Sequence, residues 1–189
     1  MQKTVQTLSY GLTKPRELLA KLESDGEKLG SNPHPYDVFN FFVTASVLAE
    51  WTQKYYQTRE AADPFRSPSK DEEVWQLPSL SEQWISDTSC VPNPASGVDW
   101  HIRNVLSICA HTANASKHFR WADKGHVESI ASEPPIADWY QYFFTSKAPD
   151  LYVTFRGENY GMQQIKGILL QFYDGILAHL EPKNPDGDG

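Results

Sequence analysis

The chain has 189 residues, of which 40% are hydrophobic and 13% aromatic, enough for one domain burying roughly 70% of its unfolded surface. Those proportions exclude global disorder. A formal net charge of −7 excludes a protein coated in basic charge for nucleic acid.

Residues 1–12 read as a loosely attached lead-in, with neither the apolar stretch nor the small-residue cleavage pattern of a secretory signal. A single domain is expected over 13–182. Thr13 is placed to cap a first helix over 14–29, with Pro15 tolerated in its first turn. Leu18, Leu19, Leu22 and Leu29 form its apolar stripe, and Gly30 ends it. SNPHP at 31–35 is a turn, because each Pro biases the preceding residue away from helix. Residues 36–56 then predict a core helix, apolar nearly all round in its first half, with Phe39, Phe42, Val43, Val47 and Leu48 as packing residues and Trp51 and Tyr55 extending the contact. Asn40 and Thr44 would be polar groups inside that helix and would need partners, which the polar stripe of the central helix at 98–121, as a close antiparallel neighbour, is expected to supply.

Pro64, Pro68, Pro78, Pro92 and Pro94 cut 58–97 into short pieces, an irregular insertion read either as packing over the core or as a mobile lid. Two fragments, 71–76 and 80–86, are expected as single helical excursions anchored by Trp75 and Trp84. From Val98 to Trp121 there is no Pro or Gly, which predicts a central helix of about six turns. Residues 122–125 make a turn, and 126–157 change to β-branched and aromatic residues in HVESIAS, WYQYFFT and LYVTFRG, read as a small antiparallel β-meander of two or three strands. Residues 158–181 return to helix, with Ile165, Ile168, Leu169, Phe172, Ile176 and Leu180 facing the core, and 183–189 form a disordered polar tail. The expected fold is mostly α (α+β): a helical bundle of about four main helices, with the meander before the last.

The longest apolar run, 38–49, is interrupted by Asn40, Thr44 and Ser46 and is too short to span a bilayer. With no lipidation motif either, no membrane partner is expected. Cys90 and Cys109 show no paired spacing; Cys109 lies on the apolar side of the central helix and reads as a reduced, buried thiol, so the compartment is taken as cytoplasmic.

Function rests on the central helix. Val98, Ile102, Val105, Leu106, Cys109 and Ala113 gather on one side of its wheel, and Arg103, Ser107, His111, Asn114 and His118 on the other. An ordinary solvated face carries Glu and Lys; this one carries Arg, two His and an Asn. Between His101 and His126 there are four cations, Arg103, Lys117, Arg120 and Lys124, against Asp123, a balance of +3 that leaves −10 for the rest of the chain. That strip can take a phosphate or an acidic partner through Asn114, Lys117 and Arg120, while cations matched to a helix C-terminus account for the last turn equally well. Dinucleotide, P-loop, zinc-protease and nucleophile-elbow fingerprints are absent. His111 and His118 lie about 10 Å apart along the axis, too far to share one ion, so neither metal nor cofactor is expected.

Arg beside His supports metal-free phosphoryl transfer, His as general acid or base and Arg holding the developing charge. Here the chain loosely resembles the HEPN group, small helical domains whose motif is Arg, a polar residue (often Asn), then His after four to six intervening residues at a dimer cleft. Arg103-Asn104 matches, with His111 following after seven residues; Arg120 and His126 have a gap of five, with Trp121 in place of the polar residue. The segments YDVFNFFVTASVLAEW and ICAHTANASKHF also resemble those of uncharacterised bacterial helical proteins. The HEPN resemblance implies a metal-independent RNA-cleaving toxin or defence component acting as a homodimer. Arg103 and His111 would be catalytic at the cleft, Asn104 would orient the phosphate and His118 would assist. Trp121 and Trp139 would stack on bases or pack at the rim. The alternative is a non-catalytic scaffold that binds a protein partner, in which Asn40, Thr44, Asn114 and His118 satisfy one another between two packed helices.

Overall fold

The computed structural model describes residues 12–30, 33–56, 63–69, 74–118, 127–131 and 151–181, with the backbone alone for 115–118 and 127–131. Among them are four α-helices, α1 (Pro15–Glu27), α2 (Pro35–Tyr56), α3 (Val98–His118) and α4 (Met162–Leu180), and three strands, β1 (Val127–Ala131), β2 (Tyr152–Phe155) and β3 (Glu158–Gly161). The fold is mostly α, with a small antiparallel sheet before the last helix, as its hydrophobic periodicity predicts. Residues 1–11, the expected strand at 139–145 and the tail at 183–189 lie outside the described residues.

α1 starts one residue later than expected. Its N-cap is Lys14, and Thr13 and Lys14 donate their backbone N–H groups to the Glu17 carboxylate, so Glu17 rather than the Thr13 side chain closes the helix start. Leu18, Leu19, Leu22 and Leu29 are all buried, Leu29 just past the helix end.

α2 packs against both α1 and α3 through Val38, Phe41, Phe42, Ala45, Leu48 and Ala49. Phe39, expected inside, is 41% exposed, Asn40 is exposed, and Val43 and Val47 are half-buried. The reason is that α2 carries apolar residues on two sides, and among the described residues the 38-41-42-45-48-49 side takes the core, with Val47 and Trp51 packed only at its edge. Thr44 is buried, but its partners come from α1 and not from α3: it donates to Asp25 Oδ2 (2.8 Å) and accepts from Lys21 Nζ (2.7 Å).

The described parts of the insertion pack over the core. Phe65 is fully buried, stacked on Trp75 at 5.6 Å between centroids and edge-on to Phe172 of α4 at 5.5 Å. Arg66 and Gln76 exchange both backbone hydrogen bonds, so 74–76 is extended where a helical excursion is expected. The second excursion is a 3-10 turn, Ser81–Trp84. Its Trp84 seats on Gly175, where a Cβ would stand 2.3 Å from the indole Cγ. Gly167 likewise leaves room for Cys90.

β1, β2 and β3 form an antiparallel sheet in that order. Residues 158–161, expected to open the last helix, are instead β3. The cause is the turn before it: Arg156 and Gly157 have φ of 51° and 76°, the positive pair of a two-residue type I′ hairpin, which folds Val153 back onto Tyr160 and Phe155 onto Glu158. α4 then runs under the core with Ile165, Ile168, Leu169, Phe172 and Ile176 buried, and Tyr173 donates to the Ala45 carbonyl of α2 at 2.7 Å.

Candidate functional site on the central helix

α3 is covered on more sides than its wheel suggests. Beside the expected Ile102, Val105, Leu106, Cys109 and Ala113, the polar His101, Asn104, Ser107 and Thr112 are also buried. Val98 packs at the edge of the same core. Burial drives the Cys109 thiol far above its usual range, so it is an inert thiol.

The buried polar residues form a directed chain. His101 Nε2 lies 2.7 Å from the Asn93 carbonyl oxygen, which only accepts, so that nitrogen carries the proton. In the neutral ring Nδ1 is then an acceptor, and the Tyr160 hydroxyl 3.0 Å away donates to it. The Tyr160 oxygen in turn accepts from Asn104 Nδ2 at 2.8 Å. Burial pushes the Tyr160 hydroxyl up to about 12, with the Asn104 amide pulling the other way, so it keeps its proton across the physiological range. Asn104 Oδ1 is buried with no hydrogen-bond partner. Neither His101 nor Tyr160 stands out in the sequence as a site residue: His101 lies a turn before Asn104, but Tyr160 joins it only once 158–161 is recognised as a strand.

Of the expected catalytic residues whose side chains are described, Arg103, Asn104 and His111 do not converge within one chain. Arg103 donates from Nε to the Trp75 carbonyl at 3.1 Å and pairs through Nη2 with Asp99 Oδ2 at 3.2 Å. Asp99 also accepts from the Ser81 hydroxyl. His111, eight residues on and about 12 Å along the axis, is half-buried, its ring 6.1 Å from that of Phe155 on β2. Asn104 is interior, and Asn114 is exposed. The side chains of Lys117 and His118, and all of Arg120, Trp121, His126 and Trp139, lie outside the described residues. The expected link of Asn40 and Thr44 to Asn114 does not form, because Asn40 and Asn114 face outward and Thr44 is held by α1. Among the described residues no three His, Cys, Asp or Glu side chains gather as a metal site requires, and no helix is long and apolar enough to cross a membrane.

No protein-family model, curated protein or solved structure matches this chain. Function must be argued from these residues alone.

Proposed function

We propose that this protein is a non-catalytic helical scaffold that binds a protein partner, and that the polar residues of α3 are its internal fastenings. Asn104 carries the argument. A phosphodiester offers only acceptors, so a residue that orients it must donate. Asn104 is fully buried: one Nδ2–H is held by Tyr160 and its Oδ1 has no partner among the described residues, so the amide has no open face to offer a phosphate. Arg103 commits two of its N–H donors, on Nε and Nη2, to the Trp75 carbonyl and the Asp99 carboxylate, which fixes its guanidinium between the insertion and the first turn of α3. The two free, buried cysteines favour a cytoplasmic setting.

A second reading, the metal-independent RNA-cleaving protein of HEPN type, draws on His111 and Asn114, which keep solvent access on one side of α3. It requires a homodimer cleft, since about 12 Å of helix separates Arg103 from His111. Arg103→Ala and His111→Ala distinguish the readings when purified protein is incubated with RNA in chelator and melted in parallel. The scaffold reading expects no cleavage by any variant and a lowered Tm for Arg103→Ala. Wild-type cleavage abolished by both substitutions at unchanged Tm would overturn it.

A further inference from the structure

We infer that the outward side of α2 is a self-complementary docking surface for a second copy of this chain, packed antiparallel. This gives the partner of the scaffold reading a chemistry and rests on that reading only so far; it uses a different helix face from α3.

α2 spends its 38-41-42-45-48-49 side on α1, α3 and α4. Its other side presents Tyr36, Asn40, Val43, Val47, Glu50 and Lys54, spaced 4, 3, 4, 3 and 4, one row along the helix with Val47 also touching the edge of the core. None of the six is buried: Tyr36 is 73% exposed, Asn40, Glu50 and Lys54 are exposed, and Val43 and Val47 half-buried. Phe39, 41% exposed, and Trp51, half-buried, flank the stripe. Three of the five exposed large hydrophobic residues among those described, Tyr36, Phe39 and Tyr55, belong to this one helix.

Charge and symmetry name the occupant. The stripe reads alike from both ends about the level of Ala45. Across a two-fold axis at that level, Val43 meets the partner's Val47, Asn40 meets the partner's Glu50, Tyr36 meets the partner's Lys54, and Phe39 meets the partner's Trp51. The Asn40 amide donates to a carboxylate, the Lys54 ammonium lies on an aromatic ring, and two aromatic side chains meet at each flank. In a parallel pair, Glu50 would instead face the partner's Glu50 and Lys54 the partner's Lys54. Complementary contacts therefore arise only in the antiparallel arrangement, each made twice by the two-fold axis. The seam is about 27 Å long, five turns of helix.

Sedimentation equilibrium of the full chain from micromolar to submillimolar concentration tests this. The expected result is a reversible shift from 21.5 kDa towards twice that mass. Val43→Glu and Tyr36→Ala should each weaken association about tenfold or more. Tyr36 is mostly solvated in the single chain, so Tyr36→Ala should leave the Tm of dilute protein unchanged. For orientation, Asn40→Cys and Glu50→Cys proteins mixed under mild oxidation should cross-link to each other in preference to themselves. A monomer at every concentration, a dimer that both Val43→Glu and Tyr36→Ala leave intact, or preferential self-cross-linking of Asn40→Cys would each overturn the inference. RNA cleavage by the wild type would sink the scaffold reading and leave this measurement readable.

Discussion

Tyr160→Phe is the substitution that most directly probes the interior of α3. It keeps the buried ring, whose fractional exposure is 0%, and removes only the hydroxyl. Two buried groups lose their partner at once: Asn104 Nδ2, at 2.8 Å, and His101 Nδ1, at 3.0 Å. His101 cannot recover by changing tautomer, because its Nε2 proton is held on the Asn93 carbonyl. Asn104 already has an unpartnered Oδ1, so rotating its amide gains nothing. An unsatisfied buried polar group costs about 1–3 kcal/mol, so two of them should cost about 2–6 kcal/mol. Against a total stability of about 5–15 kcal/mol this is a large fraction, and in a chain of this size about 3 kcal/mol lowers Tm by roughly 6–12 °C. Urea unfolding followed by circular dichroism supplies the number, provided the m value is unchanged. Asn104→Leu in the Tyr160→Phe background removes one stranded group, so the double variant should be less unstable than the two single losses added together. A Tyr160→Phe loss below about 0.5 kcal/mol would refute the chain of bonds as a stability element.

Other consequences follow from single contacts. Gly175→Ala would place a methyl 2.3 Å from Trp84 Cγ; the 3-10 turn must be displaced, and a loss of about 1–3 kcal/mol is expected in thermal melts, whereas Gly30→Ala, with nothing within 4 Å, should change little. Asp25 is buried in α1, which opposes its ionisation, yet hydrogen bonds from Lys21 and Thr44 and the charges of Lys21 and Lys28 outweigh that and hold its pKa below 3.8. Its ionised form therefore stabilises the fold above about pH 4, and that contribution disappears as the pH falls through the lowered folded-state value. Asp25→Asn should accordingly be less stable than wild type at neutral pH, with the gap in Tm closing in acid; a gap constant with pH would contradict the assignment. Phe65→Ala, which empties a fully buried site between Trp75 and Phe172, should cost about 3–5 kcal/mol and expose Trp75 to a fluorescence quencher.

The sequence made α1, α3 and α4 legible because their apolar residues keep a single helical spacing over many turns, as Ile165, Ile168, Leu169, Phe172 and Ile176 do. α2 was harder, since Tyr36, Phe39, Val43 and Val47 are as apolar as Val38, Phe41 and Phe42, and periodicity does not say which of two apolar sides finds a partner. β3 was hidden because four residues, ENYG, carry no period of their own; only the positive φ values of Arg156 and Gly157 separate them from the helix that follows. The polar side of α3 was visible as a pattern, but its surroundings were not. What covers Arg103 comes from Trp75 and what engages Asn104 comes from Tyr160, contacts 28 and 56 residues away in sequence.

Those distances also explain why α3 carries His101, Arg103 and Asn104. The chain at 74–97 contains no α-helix, only 3-10 turns and extended pieces, so its backbone carbonyls lack the regular partners that helix or sheet would supply. Where such a segment packs on a helix, the helix must bring donors. Arg103 bonds the Trp75 carbonyl and His101 faces the Asn93 carbonyl, so a single turn of α3 fastens two separate points of this segment. The hairpin has the same need from the other side, since a two-residue turn joining four-residue strands is marginal alone and gains from the pair of bonds that Tyr160 makes to His101 and Asn104. His101, Arg103 and Asn104 are thus what an irregular covering demands of the helix beneath it.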